Sequence, residues 1–234
     1  MKKISILVPI YNEKNTIETI LKKIHEAPIP KGYDYEIVCV DDASKDGTES
    51  WLKKYKNDRV SIYYKEKNEG KGAAIQTAIS KATGDIMIIQ DADLEYDPNE
   101  YPRLLDPIIK GHADVVYGSR LMGGSGPQRV LFYWHSVGNR LLTTLSNMLT
   151  NINLTDMETC YKVFTKQAIS GINIQSKRFG LEPEITAKFA KKKLRMYEIP
   201  ISYYGRDYSE GKKIGWKDGV SAIWCIIKFN WFSK

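Results

Sequence analysis

The run Asp91-Ala92-Asp93-Leu94-Glu95 sets three carboxylates at alternate positions, directly after a short apolar stretch at residues 85–90. Like charges gathered at a strand end are costly unless a cation holds them. A hard divalent ion with oxygen ligands, Mg²⁺ or Mn²⁺, does so. In extended backbone the three side chains share one face, whereas a turn would let them converge. An ion bound there would bridge diphosphate oxygens and offset charge growing on a leaving diphosphate. An isolated Asp-x-Asp is also what a solvated acidic turn looks like, so the weight rests on its surroundings.

Three other stretches supply them. Val8-Pro9-Ile10-Tyr11-Asn12-Glu13 puts an aromatic ring and an acid after the first apolar run, suited to a base and a ribose. Asp41-Asp42-Ala43-Ser44, with Asp46 and Gly47, is a second acidic turn. Asn68-Glu69-Gly70-Lys71-Gly72 leads into a helical pattern whose N-terminus and lysine suit an anionic phosphate.

Short apolar runs at residues 4–10, 35–40, 60–64, 85–90 and 114–118 alternate with helical spacings at 15–25, 48–55, 71–82 and 98–110. The alternation predicts an α/β fold: a mostly parallel, Rossmann-like sheet with helices on both faces. Ligands of such sheets sit at the carboxyl ends of the strands. Glu13, Asp42, Asp91, Asp93 and Arg120 should therefore gather along one edge. The second half holds a long mixed segment at 130–151, strand candidates at 161–164 and 195–199, and a helix at 182–191 between them. No repeat or low-complexity linker divides the chain, so one domain is expected.

A chain of 234 residues, 42% hydrophobic and 27% charged, is neither disordered nor fibrous. Its 35 basic against 28 acidic residues give +7, which fits an anionic partner or a solvated lysine-rich surface without choosing. Cys39, Cys160 and Cys225 are scattered, which points to a reduced, cytoplasmic compartment and away from a zinc site or disulfide framework. The apolar stretch after Met1-Lys2-Lys3 is too short for a leader, and no apolar run reaches the length that spans a bilayer.

In this order, residues 6–13, the turn at 41–47, and residues 68–72 and 91–95 resemble the family 2 inverting glycosyltransferases of GT-A fold. Gly118-Ser119-Arg120 and residues 203–216 are similar to the branch that glycosylates polyprenol or dolichol phosphate with mannose or glucose. The resemblance covers essentially the whole chain. It implies a GT-A domain over 1–210, with a donor half at 1–120 and an acceptor half at 121–210. A basic, tryptophan-rich amphipathic segment at 211–234 follows.

By the same resemblance, Pro9, Tyr11, Glu13 and Asp42 contact the donor nucleoside with Lys71 close by, and Asp91 places the sugar or ribose. Asp93 ligates the metal, joined by Glu95, which stands where dolichol-phosphate mannose synthases often carry glutamine. Asp93, Arg120, Asp156 and Arg206 form the catalytic set. Arg120, Arg206 and Lys212, with Lys213 beside it, serve the acceptor phosphate; arginine suits this because its planar fork gives paired, charge-assisted bonds. Asp156 or Glu158 lies where many family members place an acceptor-side acid. A phosphate acceptor is already anionic, so an orienting role is favoured over that of a base.

Trp216, Trp224, Trp231 and Phe232, with Lys217, Lys228 and Lys234, and the segment 129–149 with Trp134 and Arg140, suit either a bilayer interface or packing on the core. The expected activity is transfer of a hexose, with inversion, from a GDP- or UDP-linked sugar to polyprenol phosphate, aided by Mg²⁺ or Mn²⁺. It would take place peripherally on the inner face of the cell membrane, in cell-envelope glycan synthesis. The alternative acceptor is a saccharide hydroxyl, with Asp156 or Glu158 as base. A sugar nucleotidyltransferase would carry a glycine-rich, Arg-Lys-bearing N-terminal loop, which is missing, and a basic binding module leaves the acidic turns without purpose. No nucleic-acid partner is expected; self-association stays open.

Overall fold

The computed structural model describes residues 2–123, 129, 132–178, 180–205 and 216–232. The first half alternates as expected: β1 (Lys2–Ile10), α1 (Ile17–Glu26), β2 (Tyr33–Asp41), α2 (Thr48–Lys54), β3 (Val60–Tyr64), α3 (Lys71–Lys81), β4 (Ile86–Ile89), α4 (Tyr101–Ile109) and β5 (Val115–Ser119). A single 3₁₀ turn, Pro98–Glu100, opens α4 where one continuous helix was expected. Proline at its first position and the Asp97 cap account for the tighter start.

The second half contributes α5 (Tyr133–Thr150), β6 (Lys162–Thr165), the one-turn α6 (Lys166–Ile169), α7 (Leu181–Lys191), β7 (Met196–Pro200) and α8 (Trp216–Ile227), with a π-helical turn at Lys228–Phe232. The seven strands of the described residues lie in the order β3-β2-β1-β4-β6-β5-β7. β1 pairs parallel with β2 and β4, β2 with β3, and β5 with β7. Among the described strands β6 alone runs against its neighbours, β4 and β5.

That reversal matters for the site. β6 comes from the second half of the chain yet lies between two strands of the first. Its N-terminal end therefore sits on the edge where β1, β2, β4 and β5 end. The segment leading into it, residues 152–161, is thereby delivered to the same edge.

The inner stretches of the central strands are buried, as parallel strands covered by helices must be. Ile4, Ile6, Leu7 and Val8 of β1 are fully buried, as are Ile37 and Val40 of β2 and Ile88 of β4. α1 turns Ile17, Ile20, Leu21 and Ile24 into this core, a spacing of one helical face.

Candidate active site

The loops after β1 and β2 are zipped together by short polar side chains. Asn12 N–H donates to Ser44 Oγ (2.9 Å), Lys45 N–H to Asn12 Oδ1 (2.8 Å), Glu13 N–H to Thr48 Oγ1 (3.0 Å) and Lys14 N–H to Asp46 Oδ2 (3.0 Å). Asp41 holds the same turn by accepting from Ser44 Oγ–H (2.5 Å). Glu13 accepts from the Thr16 hydroxyl (2.8 Å), and Pro9 is the penultimate residue of β1, beside half-buried Tyr11. Asn12, Ala43 and Leu94 all have positive φ (54°, 60° and 67°). Each follows one of β1, β2 and β4. Left-handed backbone costs a residue with a Cβ about 1–2 kcal/mol, so these loops hold conformations imposed by their surroundings.

Asp42 is buried and accepts from the backbone N–H groups of Glu69 (3.0 Å) and Gly70 (2.6 Å), clamping the 65–70 loop to the end of β2. Burial raises its carboxyl above the ordinary range, and those amide bonds only partly oppose the rise. The expected phosphate-facing start of α3 is packed from within. Ala73 N–H donates to Lys177 O (3.2 Å), and a Cβ on Gly72 would lie 2.1 Å from Ser176 O. Gly70, at φ 95°, is pressed as closely by Lys177 O (2.4 Å). These glycines serve the approach of residues 176–178. Gly72→Ala is accordingly expected to cost about 1–3 kcal/mol through overpacking, seen as a fall in melting temperature of several degrees.

Lys71 reaches into the edge. Its ammonium donates to Asp91 Oδ2 (2.9 Å) and lies 3.3 Å from Glu182 Oε1 of α7. Burial by itself would lower the lysine; Asp91 and Glu182 outweigh it and hold the group well above its usual value, so it stays charged. The three carboxylates of 91–95 bond different partners. Asp91 turns to Lys71, Asp93 Oδ1 accepts from Glu95 N–H (3.1 Å), and Glu95 Oε2 accepts from Tyr203 Oη–H (2.8 Å). Among the described residues no three acidic, His or Cys side chains gather as a metal cage. Asp93 and Glu95 are hard oxygen donors in one turn, and magnesium shared with a substrate takes one or two carboxylates and completes its shell with phosphate and water. The donor set fits an ion of that kind.

Arg120, one residue past β5, meets the segment carried in by β6. Its Nε donates to Asp156 Oδ2 (2.7 Å), its Nη2 to Oδ1 (2.7 Å) and its backbone N–H to Oδ2 (3.0 Å). Asn139 of α5 adds a fourth bond, Nδ2–H to Oδ1 (3.0 Å). Asp156 is fully buried. Burial opposes its charge, but Arg120 and these bonds prevail and hold the carboxyl below its usual range. The guanidinium also lies over the Tyr203 ring (5.2 Å). Tyr203 thus touches both Glu95 and Arg120.

Residues 90–95, 119–120 and 156–160 thus meet at one edge, as the strand-end rule requires. Arg206, Lys212 and Lys213 lie outside the described residues. Sequence spacing gave no sign of Glu182, Lys162 or Asn139 at this edge, whereas Tyr203 opens the stretch 203–216 that carries part of the resemblance. Glu182 reads as an ordinary first-turn helix acid, and Lys162 sits in an apolar strand yet is buried, donating to Met157 O (3.0 Å) and Thr159 O.

The sheet order with its single reversed strand, and the acidic turn at the end of β4, define an α/β fold of the GT-A type. The profile of glycosyl transferase family 2 matches residues 5–172, and the chain belongs to that family of glycosyltransferases. It is 29% identical over 220 residues to a dolichol-phosphate mannosyltransferase of Pyrococcus furiosus, an alignment that covers 91% of this chain and 60% of that protein. The chain therefore spans about three fifths of that curated relative. Its fold is similar to glucosyl-3-phosphoglycerate synthase of Mycobacterium tuberculosis, solved with Mn²⁺, UDP and phosphoglyceric acid (TM-score 0.73, 17% identity, 98% of this chain and 79% of that one). A structure of the same synthase with Mg²⁺ and UDP gives a TM-score of 0.70 at 16% identity, covering 98% of this chain and 79% of that one.

Proposed function

We propose that this glycosyltransferase moves a hexose, with inversion, from a nucleoside-diphosphate sugar to the phosphate of a polyprenol phosphate. The observation that carries the reading is the state of Asp156. Four hydrogen bonds fill its carboxylate, which leaves it no lone pair suited to accepting a proton from an acceptor hydroxyl. A phosphate monoester is anionic at neutral pH and needs no such base, so positioning and charge can supply the rate. This favours a phosphate acceptor over a saccharide hydroxyl. The mannosyltransferase relative, named for dolichol phosphate, supports the same acceptor class.

The roles divide along the edge. Pro9, Tyr11 and Glu13 take the nucleoside, with Asp42 holding the loop beside it; Lys71 and Asp91 orient the diphosphate and the sugar. Asp93 and Glu95 would hold Mg²⁺ or Mn²⁺ together with diphosphate oxygens, and such an ion offsets charge on the leaving nucleoside diphosphate. Asp156 fixes Arg120 so that its remaining N–H donors meet the acceptor phosphate, with Arg206 and Lys212 completing that subsite. Residues 1–120 and 121–210 act as donor and acceptor halves of one domain.

A lipid acceptor also accounts for the apolar surface on the second half. Asn139 ties α5 to Asp156, and the same helix exposes Tyr133 (72%), Trp134 (78%) and Leu141 (62%). α8 packs beside α5 and exposes Trp224, with Trp231 and Phe232 beyond it. No helix of the described residues is long and apolar enough to cross a membrane. We assign this aromatic surface to the bilayer interface, where such rings are favoured, on the cytoplasmic face.

The test is a donor-by-acceptor assay with radiolabelled UDP- and GDP-hexoses and short polyprenyl phosphates, with and without Mn²⁺. Label in the organic phase that depends on the lipid phosphate is the expected result. Label confined to water-soluble saccharide contradicts the acceptor assignment.

A further inference from the structure

Tyr203 lies just past β7, and the backbone around it is tied to both sides of the edge. Ile201 N–H donates to Ser119 O (3.0 Å), next to Arg120, and Ser202 N–H donates to the buried carboxylate of Glu100 (3.0 Å). Tyr204 N–H donates to Glu95 O (3.0 Å), while Tyr203 O accepts from Arg129 N–H (3.2 Å). The side chain so delivered is buried, its ring edge-on to Tyr96 (5.4 Å). Tyr96 is fixed in turn, its hydroxyl accepting from Cys160 N–H (3.1 Å). Gly205 backs the ring, and a Cβ there would collide with Tyr203 Cε1.

The two ends of this side chain meet different parts of the site. The hydroxyl donates to Glu95 Oε2 (2.8 Å), and the ring faces the guanidinium of Arg120 (5.2 Å). A carboxylate in a short turn can swing through several orientations. A hydrogen bond to one oxygen selects among them, as outer groups do for metal ligands. A guanidinium is planar, so Asp156 grips its edge while the ring supports its face.

We propose that Tyr203 is a positioning residue for both halves of the transfer site: its hydroxyl orients Glu95 for the metal, and its ring holds Arg120 for the acceptor phosphate. The inference rests on the roles proposed above for Glu95 and Arg120. Because the two tasks fall to different atoms, they can be separated. Tyr203→Phe removes the O–H and keeps the ring, Tyr203→Leu removes both, and Gly205→Ala keeps both but displaces the ring.

The test uses the whole chain. Mn²⁺ binding is titrated by EPR with UDP or GDP present, and Asp93→Ala serves as the control that locates the ion. Tyr203→Phe should weaken Mn²⁺ binding by about tenfold or more, and Gly205→Ala should weaken it too with the hydroxyl still present. Arg120 is followed by its side-chain ¹⁵Nε–H resonance, which the ring current of Tyr203 displaces. That resonance should stay in place in Tyr203→Phe and move in Tyr203→Leu. In turnover, the KM for a short polyprenyl phosphate should hold in Tyr203→Phe and rise about fivefold or more in Tyr203→Leu. A residue of merely structural importance would not divide its effects in this way.

Wild-type Mn²⁺ affinity in a folded Tyr203→Phe, or an Arg120 resonance unmoved by Tyr203→Leu, overturns the inference. If Asp93→Ala still abolishes Mn²⁺ binding, the metal site itself then stands. A wild type that binds no Mn²⁺ removes Glu95 as a ligand and overturns the inference with it. Neither the EPR nor the NMR readout needs turnover, so failure of the acceptor assignment shows separately, as the absence of lipid-dependent product.

Discussion

Asp93→Ala is expected to lower turnover by about 10²–10³-fold or more, the usual result of deleting one element of charge stabilisation at a reacting diphosphate. The fold should survive. Asp93 is half-buried at the end of a turn, and its bond from Glu95 N–H is worth about 1 kcal/mol, a shift of a few degrees in melting temperature. The decisive comparison is between wild type and variant with metal removed. If Asp93 acts through the ion, chelation should bring wild type down to the level of the variant and leave the variant nearly unchanged. An Asp93→Ala enzyme that keeps wild-type turnover and metal response would remove the metal from the account.

Asp156→Ala should act on stability first. Arg120 is held at 2.7 Å by two bonds to a fully buried carboxylate, and removing one partner of such a pair leaves an uncompensated buried charge. The expected cost is about 3–5 kcal/mol, on the order of 10 °C in melting temperature for a chain of this size. The pH dependence has a defined sign. Because the folded carboxyl lies below its usual value, its stabilisation is complete above about pH 5 and is lost as pH falls through the folded value. Asp156→Asn should therefore flatten the acid limb of the stability curve. In activity, the variant should raise the KM for the lipid phosphate more than that for the donor. A variant as stable as wild type at pH 7 would contradict the role given to this pair.

The sheet was legible where burial is symmetrical. The uninterrupted apolar runs of β1, β2 and β4 can only be strands covered on both faces, and their ends place the acidic turns correctly. The reversal of β6 was not legible, because a four-residue apolar strand carries no sign of its direction. The reversal is nonetheless what brings Asp156 to Arg120. Similarly, Asp91 to Asp93 were readable as chemistry, but their partners were not. Lys71 and Asp91 are 20 residues apart, and Glu95 and Tyr203 are 108 apart. Such pairings arise from packing between elements, to which local spacing is blind. The glycines at 70 and 72 admit the close approach of residues 176–178, a contact that local spacing does not show.

The central claim is that the nucleophile is a phosphate oxygen. ³¹P NMR of the reaction between a nucleoside-diphosphate hexose and a short polyprenyl phosphate tests it most directly. The account predicts that the phosphate monoester signal of the lipid is replaced, mole for mole with nucleoside diphosphate released, by a phosphodiester signal coupled to the anomeric proton. A lipid monoester signal that persists unchanged while nucleoside diphosphate is released to a saccharide acceptor would contradict it.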